Sequence, residues 1–103
     1  MRHVVGFTPE AEEQLLALYR YISDAASPAV AARYTSAIVT YCEGLAAPPL
    51  RGTRRDDIRP GLRITNYRKR CVVAFIVEGD TVSILGIFYG GRDYESRLRL
   101  VIF

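Results

Sequence analysis

Residues 71–89 read CVVAFIVE-GD-TVSILGIFY, and this stretch decides the fold. Cys71–Glu78 is a continuous run rich in β-branched and aromatic residues, the mark of a central strand covered on both faces. Gly79-Asp80 supplies a two-residue hairpin turn. Thr81–Tyr89 is the returning strand, with Val82, Ile84, Gly86 and Phe88 predicted on one side, and Gly90-Gly91 breaks it. On the N-terminal side, Leu62–Tyr67 alternates as a further strand and Arg68–Arg70 forms the turn into Cys71. The alternation is read with Leu62 and Ile64 toward the helices. Arg63, Thr65 and Tyr67 then lie on the opposite face.

Upstream of residue 50 the period changes from two to that of a helix. His3–Phe7 alternates around Val5 as a short strand. Thr8 then offers an N-cap oxygen, Pro9 sits at the first helical position, and Glu10, Glu12 and Glu13 complement the helix dipole. The apolar stripe of this helix is Ala11, Leu15, Leu18, Tyr19 and Ile22, and it stops near Asp24. Ser27-Pro28 opens a second helix with the stripe Val30, Tyr34, Ala37, Ile38, Tyr41 and Leu45, ended by Pro48-Pro49. Two helices joined by about three residues make an antiparallel helical hairpin. Residues 50–61 have no periodicity and read as a charged connector. Asp93 to about Arg99 suits a short terminal helix, and Leu100–Phe103 a strand or docked tail.

The order is β-α-α-β-β-β with a short tail. Helices come together and strands come together, so the expected class is α+β, a helical hairpin packed on a mostly antiparallel sheet. The 103 residues are expected to form a single domain spanning 1–103, half of them hydrophobic and 24% charged, which excludes wholesale disorder. The longest charge-free run, Thr81–Gly91, is too short to cross a membrane, and the first ten residues do not read as a signal peptide. Cys42 and Cys71 give neither a disulfide framework nor metal-ligand spacing, so the expectation is a cytoplasmic protein with reduced thiols, no metal and no cofactor.

The formal net charge of +3 is unevenly spread. Between Arg51 and Arg70 there are eight basic residues against Asp56 and Asp57, and only Lys69 in the chain is lysine. Arginine is the planar, bidentate donor suited to phosphate and carboxylate. Such a face fits nucleic acid, an acidic protein segment, or simply water. Asp56 and Asp57 are read as ion-pair partners for Arg54, Arg55 and Arg59.

Most enzyme chemistries lack their parts. His3 is the sole histidine and sits in a strand, and no phosphate loop or nucleophile elbow is present. Two clusters remain: Arg63, Tyr67, Arg68, Lys69 and Arg70, and Gly90-Gly91-Arg92-Asp93-Tyr94-Glu95. Leu16, Tyr21 and Val39 fall off their helix stripes and hint at an apolar patch that a partner covers.

The whole chain resembles the RelE/ParE superfamily of bacterial type II toxin–antitoxin toxins, most closely the ParE branch. The resemblance rests on the strand leading into Thr8-Pro9-Glu10-Ala11, and on the helical hairpin carrying Tyr19, Ile22 and Tyr34. It rests further on Gly61-Leu62-Arg63 followed by Tyr67-Arg68, and on Gly86-Ile87-Phe88-Tyr89 running into Gly91-Arg92-Asp93-Tyr94-Glu95. It implies a toxin neutralised by a cognate ParD-like antitoxin, of ribbon-helix-helix type, in a hetero-oligomeric complex without a membrane. ParE-like members inhibit DNA gyrase by binding and trap its DNA-cleavage complex. On that reading Arg63, Tyr67, Arg68 and Arg92 contact the target, no residue is catalytic, and Leu16, Tyr21 and Val39 receive the antitoxin. RelE-like members instead cleave mRNA on the ribosome, and Arg63, Arg92 and Tyr94 are the residues that would then act. Many relatives carry a histidine shortly before the arginine matched by Arg92. Tyr89-Gly90 stands there in this chain, which removes a candidate base. A third reading is a non-toxic relative retained as a complex partner.

Overall fold

A computed structural model describes residues 3–90 and 94–102. Strand β1 (Val4–Phe7) leads into helix α1 (Pro9–Ala25) and helix α2 (Pro28–Glu43). A short 3-10 turn (Gly44–Ala46) follows, then strands β2 (Thr53–Arg54), β3 (Arg63–Tyr67), β4 (Cys71–Glu78) and β5 (Thr81–Tyr89), and helix α3 (Tyr94–Ile102). The strands form one sheet in the order β1-β5-β4-β3-β2. Only β1 runs parallel to its neighbour; the other pairs are antiparallel. The class is the expected α+β.

Both helix starts follow the sequence signals. Thr8 accepts from the Ala11 amide and Ser27 from the Val30 amide, each at 3.2 Å, with proline at the first helical turn. The second apolar stripe is corrected. The buried line of α2 is Ala31, Thr35, Ile38 and Cys42, while Val30 is exposed. Tyr34 and Tyr41 flank that line half-buried, and Thr35 enters the core because its hydroxyl bonds back to the Ala31 carbonyl at 2.9 Å.

The sheet has a covering on each face. On one, α1 and α2 pack over Val73, Phe75, Val82, Ile84 and Ile87. On the other, Ile58, Leu62, Ile64, Ala74 and Phe88 surround Leu98 of α3. Two facing assignments made from alternation are therefore wrong. In β3, Thr65 and Tyr67 turn toward the helical hairpin, and Leu62 and Ile64 turn toward α3. Alternation fixes only which residues share a face, and the short α3 contributes an apolar Leu98 that claims the Leu62–Ile64 side.

In β5 the cause is a β-bulge. Phe75 pairs with Ile84 and Ala74 with Gly86, which leaves Leu85 as an extra residue. Val82 and Ile84 face the helical hairpin, but beyond the bulge Ile87 does so, and Phe88 faces α3. A bulge frees backbone groups, and α1 takes them up. The Ile87 amide donates to Gln14 Oε1 at 2.7 Å, and the Thr8 hydroxyl reaches the Leu85 carbonyl at 3.5 Å.

The connector also carries structure that its lack of periodicity conceals. Thr53 and Arg54 pair with Ile64 and Arg63 as a two-residue edge strand. Gly52 lies so close to β3 that a Cβ there would stand 2.5 Å from the Ile64 carbonyl oxygen, at a φ of +82°.

Candidate functional site

The tyrosines that the sequence scatters through the chain converge at the β3–β4 turn end of the sheet. Tyr34 and Tyr41 lie seven residues apart on α2, so they share one side of that helix. Tyr67 ends β3, Tyr89 ends β5, and Tyr21 projects from α1. Ring centres are separated by 5.2 Å for Tyr41–Tyr67, 6.0 Å for Tyr34–Tyr67, 5.8 Å for Tyr34–Tyr89 and 6.2 Å for Tyr21–Tyr89. The contacts are tilted or edge-to-face, the arrangement that aromatic quadrupoles favour. The Tyr34 hydroxyl is buried in this row without a hydrogen-bond partner. Burial raises its pKa first, then the neighbouring Cys71, Tyr89 and Tyr67, and Arg70 partly offsets them.

Cations rim the row. Arg68, Lys69 and Arg70 are all exposed. Arg68 and Lys69 adopt φ of 52° and 65°, the left-handed region that side-chain-bearing residues other than Asn and Asp seldom occupy. The Arg68 guanidinium lies 5.5 Å from the Tyr67 ring centre, and its Nε donates to the Tyr67 hydroxyl at 3.1 Å. Arg51 sits 6.0 Å from the Tyr41 ring centre and donates to the Gly44 carbonyl.

The basic segment 51–70 resolves into two parts. Arg54 pairs with Asp56, and Arg55 pairs with both Asp57 and Glu95 while donating to the Tyr94 hydroxyl. Arg99 of α3 joins Asp57 at 3.4 Å. The hydrogen bonds from Arg55 hold the Asp57 carboxyl down to about pKa 2. Asp56 is also lowered, first by the Gly61 amide and then by Arg54. This network ties the connector to α3 and neutralises Arg54, Arg55 and Arg99. Among the described residues, no carboxylate pairs with Arg59, Arg63, Arg68, Lys69 or Arg70. The expected pairing of Arg59 with Asp56 or Asp57 does not form.

Of the residues singled out from sequence, Tyr67 and Arg68 meet directly. Arg63 shares their face of β3, but it sits at the far end of the strand, opposite Arg54 and Phe75. Tyr94 packs on the other face, against Phe88 at 6.3 Å and hydrogen-bonded to Arg55. Arg63 and Tyr94 thus do not converge. Arg92 lies outside the described residues, as do Gly91 and Asp93. Leu16 and Val39 come together in a groove of about 620 Å³ between α1 and α2, with Phe7, Leu15 and Tyr19. Tyr21 lies apart from them, in a cleft of about 550 Å³ between α1 and the end of β5. Reading from sequence missed the convergence of Tyr34, Tyr41 and Tyr89 on Tyr67; the seven-residue spacing of the first two was the available signal. Among the described residues, no group of three or more His, Cys, Asp or Glu is placed to hold a metal ion, and no helix is long and apolar enough to cross a membrane.

This is a small α+β protein with a cationic face backed by tyrosines. Residues 5–94 match the family model for the ParE toxin of the type II toxin–antitoxin system parDE, and the chain belongs to that family. Among solved structures it is similar to a chain from the chromosomal ParDE toxin–antitoxin system of P. aeruginosa. That match has a TM-score of 0.75 and 23% identity, covering 86% of this chain and 97% of the other. It is also similar to a chain of the RelBE2 toxin–antitoxin complex from Mycobacterium tuberculosis, with a TM-score of 0.63 and 20% identity, covering 86% and 99%. Comparison with curated proteins gives no match.

Proposed function

We propose that this chain, acting as one toxin domain, inhibits DNA gyrase by binding and is neutralised by a cognate antitoxin. The observation that carries the reading is the family match over residues 5–94. The geometry supports a binding mode over a nucleolytic one. Cleavage through a 2′-hydroxyl needs a base, an acid and cations gathered on one phosphodiester. Arg63 and Tyr94, assigned to those tasks under the nuclease reading, lie on opposite faces of the sheet, and Tyr94 is engaged by Arg55. Target contacts are assigned to Tyr67 and Arg68 at the β3–β4 turn, with Arg63 on the same face and Arg92 beyond β5.

The antitoxin is assigned to the outer groove of the helical hairpin. Leu16 is 48% exposed there beside Val39, a seat for the apolar side of a segment that folds on docking. Tyr21, 60% exposed in the neighbouring cleft, extends the contact around α1. A ParD-like, ribbon-helix-helix antitoxin is the partner that fits the family. Expressed alone in bacteria, the protein is expected to stop growth and induce the chromosome-break response, with bulk mRNA intact. Growth arrest with cleaved mRNA and an unbroken chromosome would overturn the gyrase reading. Unimpaired growth would favour a non-toxic complex partner.

A further inference from the structure

We propose that the β3–β4 turn, Arg68-Lys69-Arg70 backed by the Tyr67 ring, is a contact for the phosphate backbone of duplex DNA. This deepens the gyrase reading and rests on it, because it assigns the turn to the nucleic acid in the target complex rather than to the protein.

The first support is charge. Arg54 and Arg55 of the segment 51–70 are neutralised by Asp56, Asp57 and Glu95, whereas no carboxylate among the described residues pairs with the turn. Arg68, Lys69 and Arg70 put three adjacent exposed cations on one tip. The second is conformation. Two turn residues occupy the left-handed region, where glycine or asparagine sits at least cost. Arginine and lysine there sacrifice stability. What they add is length and charge at the tip.

The third support is what lies behind the tip. The tyrosine rings already meet one another tilted or edge-on, and Tyr34, Tyr41, Tyr67 and Tyr89 are half-buried. These four rings pack on one another rather than standing clear as a platform on which successive unpaired bases would stack, and Tyr21 is the one exposed ring of the row. The cleft beside the turn, where Tyr89 and Gly90 meet Tyr21, is also lined by Glu10 and Glu13, which disfavour an acidic helix, and no residue of the turn lines the apolar groove at Leu16 and Val39. A cationic tip without a stacking platform or a seat suited to an acidic helix matches the closely spaced phosphates of a duplex. The Tyr67 ring and hydroxyl hold the Arg68 guanidinium at the tip, which lowers the ordering cost of the contact.

The test measures fluorescence anisotropy of a labelled duplex of arbitrary sequence, titrated with the full-length protein over a range of salt concentrations, without gyrase. The variants are Arg68→Asn with Lys69→Asn and Arg70→Gln, which suits the left-handed backbone, and the charge-keeping Arg68→Lys with Arg70→Lys. Thermal melting confirms that both are folded. The neutral variant is expected to weaken binding and to flatten the log affinity–log salt slope by about 2–3, with the charge-keeping variant near wild type. An unchanged slope in the neutral variant overturns the proposal. So does an unchanged duplex affinity combined with lost binding to a polyglutamate peptide, which would assign the turn to an acidic protein. Gyrase inhibition by wild type is scored separately: inhibition with an unchanged slope sinks only the duplex contact. A flattened slope without inhibition sinks the gyrase reading and leaves a duplex-binding turn.

Discussion

The Tyr41 hydroxyl of α2 and the Thr65 hydroxyl of β3 share a hydrogen bond of 2.7 Å on the face of β3 that meets the helical hairpin. It draws Tyr67, two residues further along the same face, onto the Tyr41 ring and so builds the row of tyrosines behind Arg68.

Tyr41→Phe is therefore expected to lower stability by about 1 kcal/mol, since it leaves a partly buried Thr65 hydroxyl without its partner. Tyr41→Ala also removes the ring from Tyr67 and is expected to cost about 3 kcal/mol or more. Urea denaturation at an unchanged m-value measures both. Equal effects of the two variants would show that the ring contributes nothing.

The bulge at Leu85 makes a second expectation. A Cβ on Gly86 would stand 2.5 Å from the ring of Phe88, which is itself buried. Gly86→Ala should destabilise by about 1–3 kcal/mol through overpacking. Phe88→Leu should recover part of that loss in the double variant, so the two changes will be non-additive. Strict additivity would place the strain elsewhere.

Docking of α3 should depend on acid pH. Asp57 is held at about pKa 2, below its ordinary 3.8, chiefly by its hydrogen bonds from Arg55. A carboxyl lowered on folding contributes stability above its unfolded pKa, and that contribution is lost as pH falls through the folded value. Hydrogen exchange of α3 should accelerate between about pH 4 and pH 2 beyond the intrinsic trend. Asp57→Asn should abolish that pH-dependent component and leave α3 less protected at neutral pH. A variant whose α3 keeps wild-type protection at neutral pH would contradict the role given to this network.

Cys42 and Cys71 lie in the core under the helical hairpin, and burial pushes their thiols up to about 12 and about 11. The thiolate is the reactive form. Labelling of the native protein by a thiol reagent near pH 8 should be slow and should follow the unfolding rate. Rapid stoichiometric labelling would mean that the core beneath α2 opens easily.

Much of this architecture is legible in the sequence because local signals agree. Thr8-Pro9 and Ser27-Pro28 open helices, and Gly79-Asp80 closes the β4–β5 hairpin at a glycine with φ +62°. What escapes is decided by distant contacts. Leu85 carries no local sign of being an extra residue; the bulge shows only when β4 is set beside β5. The facing of β3 hinges on Leu98, more than thirty residues later, whose short helix gives no local sign of which strand it covers. The two-residue β2 is too short for periodicity to register. At the candidate site, Tyr67-Arg68 is visible as a dipeptide, but its backing by Tyr34, Tyr41 and Tyr89 arises only on folding. The adjacency of Leu16 and Val39 follows from their helix faces, whereas the separation of Tyr21 from them depends on where the end of β5 lies.

The most direct test of the central claim mixes the purified protein with gyrase, supercoiled plasmid and ATP, with no ribosome present, then adds detergent and protease. The account predicts linear DNA from trapped double-strand breaks, appearing with the toxin and vanishing when the cognate antitoxin is added. Unimpaired supercoiling with no linear DNA, from protein shown to be folded, would contradict it.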